Sequence, residues 1–382
     1  MLQTLIQNAE ERLRQIEWVR RAVLHDGKHA DSSFSQDWIT RSWQRCLQSG
    51  QRPHQTVVFD QVSAEAKRRS EESNHLLLEA ARPALHKLGH AIADTRYFAI
   101  LTNADGMVVD VGGPIDRSDP RANVIARVGV DLSERSVGTT AISAALSELH
   151  PVWLHRGEHF YGGNAAYSCA GAPLFGPSGQ CVGMLDVTGI DAQERPELKY
   201  LVAQSARSIE NALTLERKHS LTVRLNWPGR LLGDETDGLV CLDKEGWITG
   251  ANQTARQMAA QLIPGLQQDN VPIHASEVFA LPFEMLFDAA GRDAYGQPAP
   301  MDVPLWSGLR LQALPQRARS AGAIELQPRT STNNAPQSLR DVETALIRKA
   351  VAQAKGNVMQ AARALGISRA TVYRKLGNKS SG

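Results

Sequence analysis

Apolar residues recur at helical spacing through the first part of the chain. In "SQDWITRSWQRCLQSG", Ile39, Trp43 and Cys46 fall on one face of a helix, and "SAEAKRRSEESNHLLLEAARPALHKLGHAI" continues the helical period. The first residues, "MLQTLIQNAEERLRQIEWVRR", are charged and amphipathic. The pattern therefore predicts a helical N-terminal segment over residues 1–84.

From about Tyr97 the spacing changes to that of β-strands. "YFAILTNADGMVVDVGG" indicates a hairpin that turns at 104–106, and "CAGAPLFGPSGQCVGMLDVTG" indicates a second hairpin that turns at 176–179. Between them, "SVGTTAISAALSEL" is typical of a small-residue helix and "PVWLHRGEHFYGG" of a strand or loop. With the long helix that follows, these elements predict an α+β sheet domain over residues 85–220.

The helix that closes this domain is expected to cover "PELKYLVAQSARSIENALTLERKHSLTVRLN". One side of it carries a loosely heptad-like run. The run consists of Leu198, Leu201, Ser205, Ile209, Leu213 and Leu215. Such a run is found both on helices that pack against their own domain and on dimer seams, and the sequence leaves both interpretations open.

A second α+β unit is predicted over residues 221–328. "DGLVCLDKEGWITGANQTARQM" indicates a hairpin that turns at 244–246, followed by a helix whose N-cap is Asn252. Later strands are expected in "APMDVPLWS", "LRLQALP" and "AGAIELQP". The polar, proline-bearing stretch "PRTSTNNAPQS" has no periodicity, which predicts a linker over residues 329–337.

The tail, residues 338–382, has the pattern of two short helices joined by a tight turn. Val358, Ala362 and Leu365 lie on one helical face, Gly366 stands where a left-handed turn is needed, and Ser368 can cap the next helix. The outer face of that second helix is basic, and no Asp or Glu occurs after Lys355. These features favour a DNA-binding helix-turn-helix over a purely structural helical hairpin.

In a helix-turn-helix the first turns of the second helix face the base edges. Arg369 and Thr371 are therefore candidates for base contacts, with neighbouring side chains on the next turns and Lys375 directed at phosphate. The full set of predicted DNA-binding residues is Ser368, Arg369, Thr371, Tyr373, Arg374 and Lys375.

Composition limits the other options. The formal net charge of +2 excludes a uniformly basic nucleic-acid coat and leaves the local basic patch of the tail. The four cysteines are scattered without a CxxC pair, which indicates reduced thiols rather than disulfides. With neither a secretory signal nor an apolar run of bilayer length, we expect a cytoplasmic protein without membrane contact, and no motif calls for a cofactor.

The wording of several segments resembles a known family. The tail "AARALGISRATVYRKL" is similar to the Fis-type domain of bacterial enhancer-binding activators. "DWITRSWQRC", "SVGTTAISAAL", "GEHFYGGNAAYSCAGAPLFGPSGQCVGMLDVTG" and "DKEGWITGANQTAR" resemble, in the same order, the sensor half of acetoin-catabolism-regulator-like proteins. The resemblance implies an α+β multidomain fold: a GAF domain with a helical N-terminal segment, a PAS-like α+β domain, and an all-α Fis-type helix-turn-helix at the C-terminus.

A GAF domain implies a pocket for a small-molecule effector. The residues that fall where the pocket walls are expected are His159, Phe160, Tyr161, Tyr167, Cys169 and Asp186. Each of them also has a structural interpretation: Phe160 and Tyr167 as core residues, Cys169 as a small buried hydrophobe and Asp186 as a strand-end cap.

"HRGEH", residues 155–159, matches the H-x-x-E-H pattern of inverted zinc peptidases. That chemistry needs the two histidines on one helical face, whereas Pro151 precedes the pattern and Gly157 interrupts it. The surroundings therefore favour a non-enzymatic protein. A metal-dependent hydrolase at His155, Glu158 and His159, or a non-catalytic metal at these residues, stays as a distant alternative.

The family normally carries a central ATPase, yet no G-x-x-x-x-G-K-[ST] phosphate loop occurs in the 382 residues. The resemblance therefore implies an effector-responsive regulator of a catabolic operon that acts without ATP-driven activation of sigma-54 polymerase. Its expected partners are a palindromic DNA operator, a small-molecule effector, RNA polymerase and a second copy of the chain, as a homodimer or higher oligomer. An interaction protein that pairs with full-length family members is the alternative.

Overall fold

The computed structural model describes residues 2–24, 37–59, 62–263, 272–291 and 299–318, together with six single positions in the tail. The chain divides into two units, Met1–Ala318 and Arg319–Gly382, and each is described by itself. None of the helices in the described part of the chain is long and apolar enough to span a bilayer.

Four helices form the N-terminal segment, as the sequence predicts. They are α1 (Leu2–Leu24), α2 (Asp37–Gln48), α3 (Ala64–Ser73) and α4 (His75–Ala91). In α2, Ile39, Trp43 and Cys46 are all buried, which confirms the predicted apolar face. The long helical pattern after residue 63 is divided at Asn74, where the side-chain amide and backbone N–H both donate to the Ser70 carbonyl and close α3.

The first sheet is antiparallel, with strand order β2-β1-β5-β4-β3. Its strands are β1 (Tyr97–Asn103), β2 (Val108–Gly112), β3 (Val152–His155), β4 (Tyr167–Phe175) and β5 (Cys181–Ile190). Both predicted hairpins form. Three short helices connect β2 to β3: α5 (Pro120–Ile125), α6 (Glu134–Val137) and α7 (Ala141–Glu148).

Each face of the first sheet is covered by a separate apolar cluster. Because side chains alternate along a strand, Phe98 and Ile100 of β1 face the cluster shared with α2 and α7. Tyr97, Ala99 and Leu101 face the cluster shared with α4 and α8 (Leu198–Leu215). The sheet is therefore the middle layer of a three-layer unit.

The prediction for the closing helix is wrong at its C-terminal end. Helix α8 ends at Leu215, and "LTVRLN" forms strand β6 (Leu221–Asn226). In β6 the apolar residues Leu221, Val223 and Leu225 alternate with polar ones and are fully buried, which is strand rather than helix periodicity. Leu198, Ile209 and Leu213 of α8 pack within their own unit, while Leu215 is partly exposed.

The second sheet is also antiparallel, with strand order β8-β7-β6-β10-β9, so that β6 is its central strand. The remaining strands are β7 (Gly238–Leu242), β8 (Ile248–Ala251), β9 (Met301–Pro304) and β10 (Arg310–Arg317). Its helices are α9 (Gln253–Met258), α10 (Ala275–Val278) and α11 (Glu284–Ala289). The hairpin at 244–246 forms as predicted, and "AGAIELQP" and the linker lie outside the described residues.

Two buried side chains join the second sheet to the first. Asn252 caps α9 as predicted, and its amide also donates to Asn211 Oδ1 of α8 at 2.7 Å. The guanidinium of Arg256 donates to the carbonyl of Pro177 at 2.6 Å, in the turn between β4 and β5. Arg256 also donates to the carbonyls of Ala251 and Leu262. The β4–β5 turn is therefore anchored to the second sheet.

In the tail unit, the described residues at 351, 358, 359, 362, 369 and 372 are helical. Ala362 and Val372 are buried and pack together with Val351 and Val358. Val358 and Ala362 belong to the apolar face predicted for the first helix of the tail.

Candidate functional site

A small cavity lies between the first sheet and α7. It is lined by Phe59, Ile100, Ile125, Leu132, Val137, Thr140, Ala141, Ile142, His159, Asn164, Tyr167, Cys169, Asp186 and Thr188. Four of the six residues predicted to wall a pocket are in this set. The other two, Phe160 and Tyr161, are buried in the adjoining apolar cluster instead.

Asp186 is the most unusual residue of the cavity wall. Its side chain is completely buried on β5, and burial raises the pKa of the carboxyl to about 7. Oδ2 accepts a hydrogen bond from the Thr188 hydroxyl, two residues along the same strand face. Oδ1 has no hydrogen-bond partner among the described residues. A buried carboxyl oxygen without a partner is rare in folded proteins and is open to a ligand donor.

His159 and Cys169 form a second polar pair in the wall. The His159 Nδ1 lies 2.9 Å from the Arg156 carbonyl, which only accepts, so Nδ1 carries the proton and Nε2 has the lone pair. The Cys169 thiol lies 3.5 Å from that Nε2 and can donate to it. Burial lowers the pKa of His159 to about 4 and raises the pKa of Cys169 well above its usual range. Both groups are therefore neutral near pH 7.

The segment that carries His159 is held from outside by two N-terminal helices. Arg20 of α1 donates to the carbonyls of Gly157, at 3.0 Å, and of His159 and Phe160. Trp43 of α2 donates its indole N–H to the Glu158 carbonyl at 2.9 Å. Arg20 and Trp43 thus bind four consecutive carbonyls. The sequence analysis did not identify Arg20, because contacts this distant along the chain leave no local pattern.

The "HRGEH" pattern is not on an α-helix. His155 ends β3, residues 156–158 form a 3₁₀ turn, and each ionisable side chain of the pattern takes a different partner. Glu158 accepts from the His155 backbone N–H at 2.7 Å and from Arg12 at 3.0 Å. His155 Nδ1 contacts Ser168 Oγ at 2.7 Å. Within the described ranges no group of three or more His, Cys, Asp or Glu is placed to hold a metal ion.

Of the predicted DNA-binding residues, Arg369 is described, and it is helical and exposed. Ser368, Thr371, Tyr373, Arg374 and Lys375 lie outside the described residues. Val372, on the same predicted helix, is fully buried against Ala362. Arg369 lies three residues before it.

Two family descriptions match separate parts of the chain. Residues 23–211 match "MimR, N-terminal domain", and residues 338–378 match "Bacterial regulatory protein, Fis family". The first match contains the whole cavity, and the second contains the predicted helix-turn-helix.

Among curated proteins, the chain is 27% identical over 271 residues to the acetoin catabolism regulatory protein of Cupriavidus necator, covering 68% of this chain and 40% of that protein. It is 24% identical to the propane 2-monooxygenase operon transcriptional activator MimR of Mycolicibacterium smegmatis, covering 62% and 46%. The acetoin dehydrogenase operon transcriptional activator AcoR of Bacillus subtilis is 26% identical, covering 56% and 35%. The chain thus spans less than half the length of these relatives.

Among solved structures, the chain is similar to one in the Escherichia coli DhaR(N)–DhaL complex. The similarity has a TM-score of 0.43 at 14% identity, and it covers 74% of this chain and 99% of that one.

The named relatives are transcriptional regulators rather than enzymes. These relatives and the two family matches confirm the resemblance that the sequence analysis identified. The chain is a homologue of the acetoin-catabolism and MimR-type transcriptional regulators, with a MimR N-terminal domain and a Fis-family helix-turn-helix domain near its C-terminus.

Proposed function

We propose that this chain is a DNA-binding transcriptional regulator whose first sheet unit binds a small uncharged effector in the cavity at Asp186. The observation that carries the proposal is the completely buried Asp186 carboxyl, whose Oδ1 lacks a partner among the described residues while the side chain lines a small cavity. A hydroxyl or amide donor on the effector would satisfy this oxygen, which otherwise stays buried at a cost of about 1–3 kcal/mol.

The size and charge of the cavity restrict the effector. Its volume is about 40 Å³, room for about three water molecules at roughly 10–15 Å³ each. His159 and Cys169 are neutral, so no fixed positive charge lines the wall to compensate an anion. A molecule of a few heavy atoms with at least one hydroxyl fits these limits, and the relatives' catabolic operons agree with such an effector.

A structural change caused by effector binding would be transmitted to the second sheet through the β4–β5 hairpin. Cys169 on β4 and Asp186 on β5 line the cavity, and Pro177 between the strands is bound by Arg256 of the second sheet. In this proposal residues 85–220 are a GAF sensor domain and residues 221–328 a PAS-like domain, joined by the 329–337 linker to the DNA reader over 338–382. The chain works as a homodimer on a palindromic operator.

The tail would read DNA as the sequence predicts. Arg369, with Ser368, Thr371, Tyr373 and Arg374, faces the base edges, and Lys375 contacts phosphate. With no phosphate loop in its sequence, the chain acts on RNA polymerase by recruitment or occlusion rather than by ATP-driven activation of the sigma-54 form.

The effector arm of the test is a thermal-shift screen with small alcohols, hydroxyketones and ketones. A binder at 100 times its Kd adds about 2.7 kcal/mol to the free energy of unfolding. In Asp186→Leu, an apolar variant of similar shape, we expect affinity to fall up to roughly tenfold, because a hydrogen bond contributes about 0.5–1.5 kcal/mol. Arg369→Ala is the control and should keep the full shift. Equal shifts in both variants would place the effector elsewhere.

The DNA arm uses a duplex selected from a randomised library by the purified wild-type protein. Arg369→Ala should weaken binding to the selected duplex by about 1–3 kcal/mol and relax the preference at one base pair. Lys375→Ala should weaken all duplexes alike and lower the salt slope by about one unit. A purified protein that selects no duplex, yet joins a full-length relative on DNA, would instead support the interaction-protein alternative.

A further inference from the structure

Two histidines stand one helical turn apart on the outer face of α4. His86 and His90 are both exposed, and their Nε2 atoms lie 3.3 Å apart. The ring centroids are 4.5 Å apart, so the rings approach each other through their Nε2 edges. Neither residue lies in the match to the DNA-reading tail or lines the cavity.

The distance between these two nitrogens matches the distance between two donor atoms on one tetrahedral metal ion. Two imidazole nitrogens that each bind Zn²⁺ at about 2.0–2.1 Å with a tetrahedral angle stand roughly 3.3–3.4 Å apart. Residues at i and i+4 share one face of a helix, so both lone pairs can turn to the same point without a change of backbone. We propose that His86 and His90 form a bidentate site for a divalent transition-metal ion such as Zn²⁺, Cu²⁺ or Ni²⁺.

The helix that carries the pair is packed against the first sheet along its inner face, which fixes the backbone positions of the two histidines. Leu85 and Leu88 are buried on its inner face, and a Cβ at Gly89 would lie 3.1 Å from the Gly113 backbone. Lys87, the charged residue between the histidines, points to Glu235, with Nζ 3.9 Å from Oε1. Its ammonium is therefore directed at a carboxylate.

The site has two protein ligands. No third His, Cys, Asp or Glu among the described residues completes a group with them. Water fills the other positions, so the metal exchanges readily and binds more weakly than in closed four-ligand sites. Imidazole pairs follow the order of divalent affinities, which predicts Cu²⁺ above Ni²⁺ and Zn²⁺, and Mn²⁺ weakest. The other interpretation, a hydrogen bond between two rings of opposite tautomer, predicts no metal binding.

The experiment is calorimetric titration of the full chain, free of any histidine tag, with Zn²⁺, Ni²⁺ and Mn²⁺ at pH 7.5. We expect one Ni²⁺ or Zn²⁺ per chain. His86→Gln and His90→Gln should each weaken it by more than the roughly 10- to 100-fold that loss of an outer-shell partner costs. His75→Gln, an exposed histidine at the start of the same helix, is the matched control and should bind as wild type does.

Two results would overturn the proposal. One is wild-type binding in the His86→Gln/His90→Gln double variant, which keeps all four cysteines and so assigns the metal to them or to other histidines. The other is no heat and no metal-dependent rise in Tm in the wild-type protein. Equal melting of all variants in chelator would show that the substitutions leave the fold intact, as their exposed positions predict.

Discussion

The first sheet and the segment beside the second sheet each contain a completely buried aspartate. The two carboxyls differ in how many hydrogen-bond donors they have. Asp237, beside the second sheet, accepts from the Gly233 and Asp234 N–H groups at 2.7 and 3.1 Å and from the Asn226 amide at 3.0 Å. Asp186, in the first sheet, accepts from Thr188 alone among the described residues and leaves Oδ1 unpaired. A carboxyl that only holds a fold together usually has its acceptors filled, and the unfilled Oδ1 beside the cavity is the observation on which the proposed effector site rests.

The largest expected effect is on the pH dependence of stability. The carboxyl of Asp186 has a pKa of about 7 in the fold, against about 3.8 for an unperturbed aspartate. Between these values the unfolded chain is ionised and the folded chain protonated, so stability falls as pH rises, by on the order of 4 kcal/mol in all. Asp186→Asn should remove this share of the fall, while the shares of Glu158 and Glu210, whose burial also raises the carboxyl pKa to about 7, should remain. Urea titrations of both proteins from pH 4 to pH 8 measure it, and parallel curves would contradict it.

Removing the other carboxyl should be costly at every pH. In Asp237→Ala the donors of Gly233, Asp234 and Asn226 lose their acceptor, and we expect the free energy of unfolding to fall by about 3 kcal/mol. Effector affinity should be unchanged in the folded fraction. A loss below about 1 kcal/mol, within the usual range for surface changes, would mean that Asp237 is no better supported than Asp186.

The packing of the two cores can be compared by substituting one leucine in each of them. Leu132 lines the cavity and Leu225 is fully buried in the second sheet. Because a side chain beside a void has fewer contacts to lose, Leu132→Ala should cost about 2 kcal/mol less than Leu225→Ala within the roughly 2–5 kcal/mol range. Chemical denaturation at one pH gives both values, and equal costs would show the cavity wall to be as tightly packed as the second core.

The smallest effect concerns the one partner that Asp186 has. Thr188→Val keeps the shape of the side chain but removes the hydroxyl that donates to Oδ2. This hydrogen bond lowers the carboxyl pKa, so its loss should raise that pKa further and cost about 1 kcal/mol at high pH, where the carboxylate is ionised. The pH midpoint of the stability curve should move upward. A downward shift would mean that Thr188 does not donate to the carboxylate.

The hairpins were predictable because their turns are encoded locally. Gly106, Gly179 and Gly246 all have positive φ, which other residues rarely adopt, and each stands between alternating apolar runs. Strand β6 was missed because "ERKHS", between it and α8, contains neither glycine nor proline to mark the change. Its identity depends on pairing with β10, about ninety residues later in the chain.

The sequence identified the residue types of the candidate site, but not which of the side chains line the cavity. His159, Tyr167, Cys169 and Asp186 were identified from the sequence, yet neighbouring Phe160 and Tyr161 turn into the apolar core. Only the register of β4 against β5, which pairs Cys169 with Thr188, decides which side chains share a cavity. Arg20 belongs to no motif, since its acceptors are backbone carbonyls that any sequence supplies.

The contact that Arg256 makes with the β4–β5 turn shares this property of Arg20: its acceptors are backbone carbonyls, which does not restrict the side chains of that turn. Among the residues that the structure describes, the acceptors of its guanidinium are backbone carbonyls, those of Pro177, Ala251 and Leu262. The contact therefore depends on where the β4–β5 turn lies and not on which side chains that turn carries. Side chains on β4 and β5 can therefore vary without removing the acceptors of Arg256, whereas the second contact between the sheets, from Asn252 to Asn211 Oδ1, requires the amide side chain on α8.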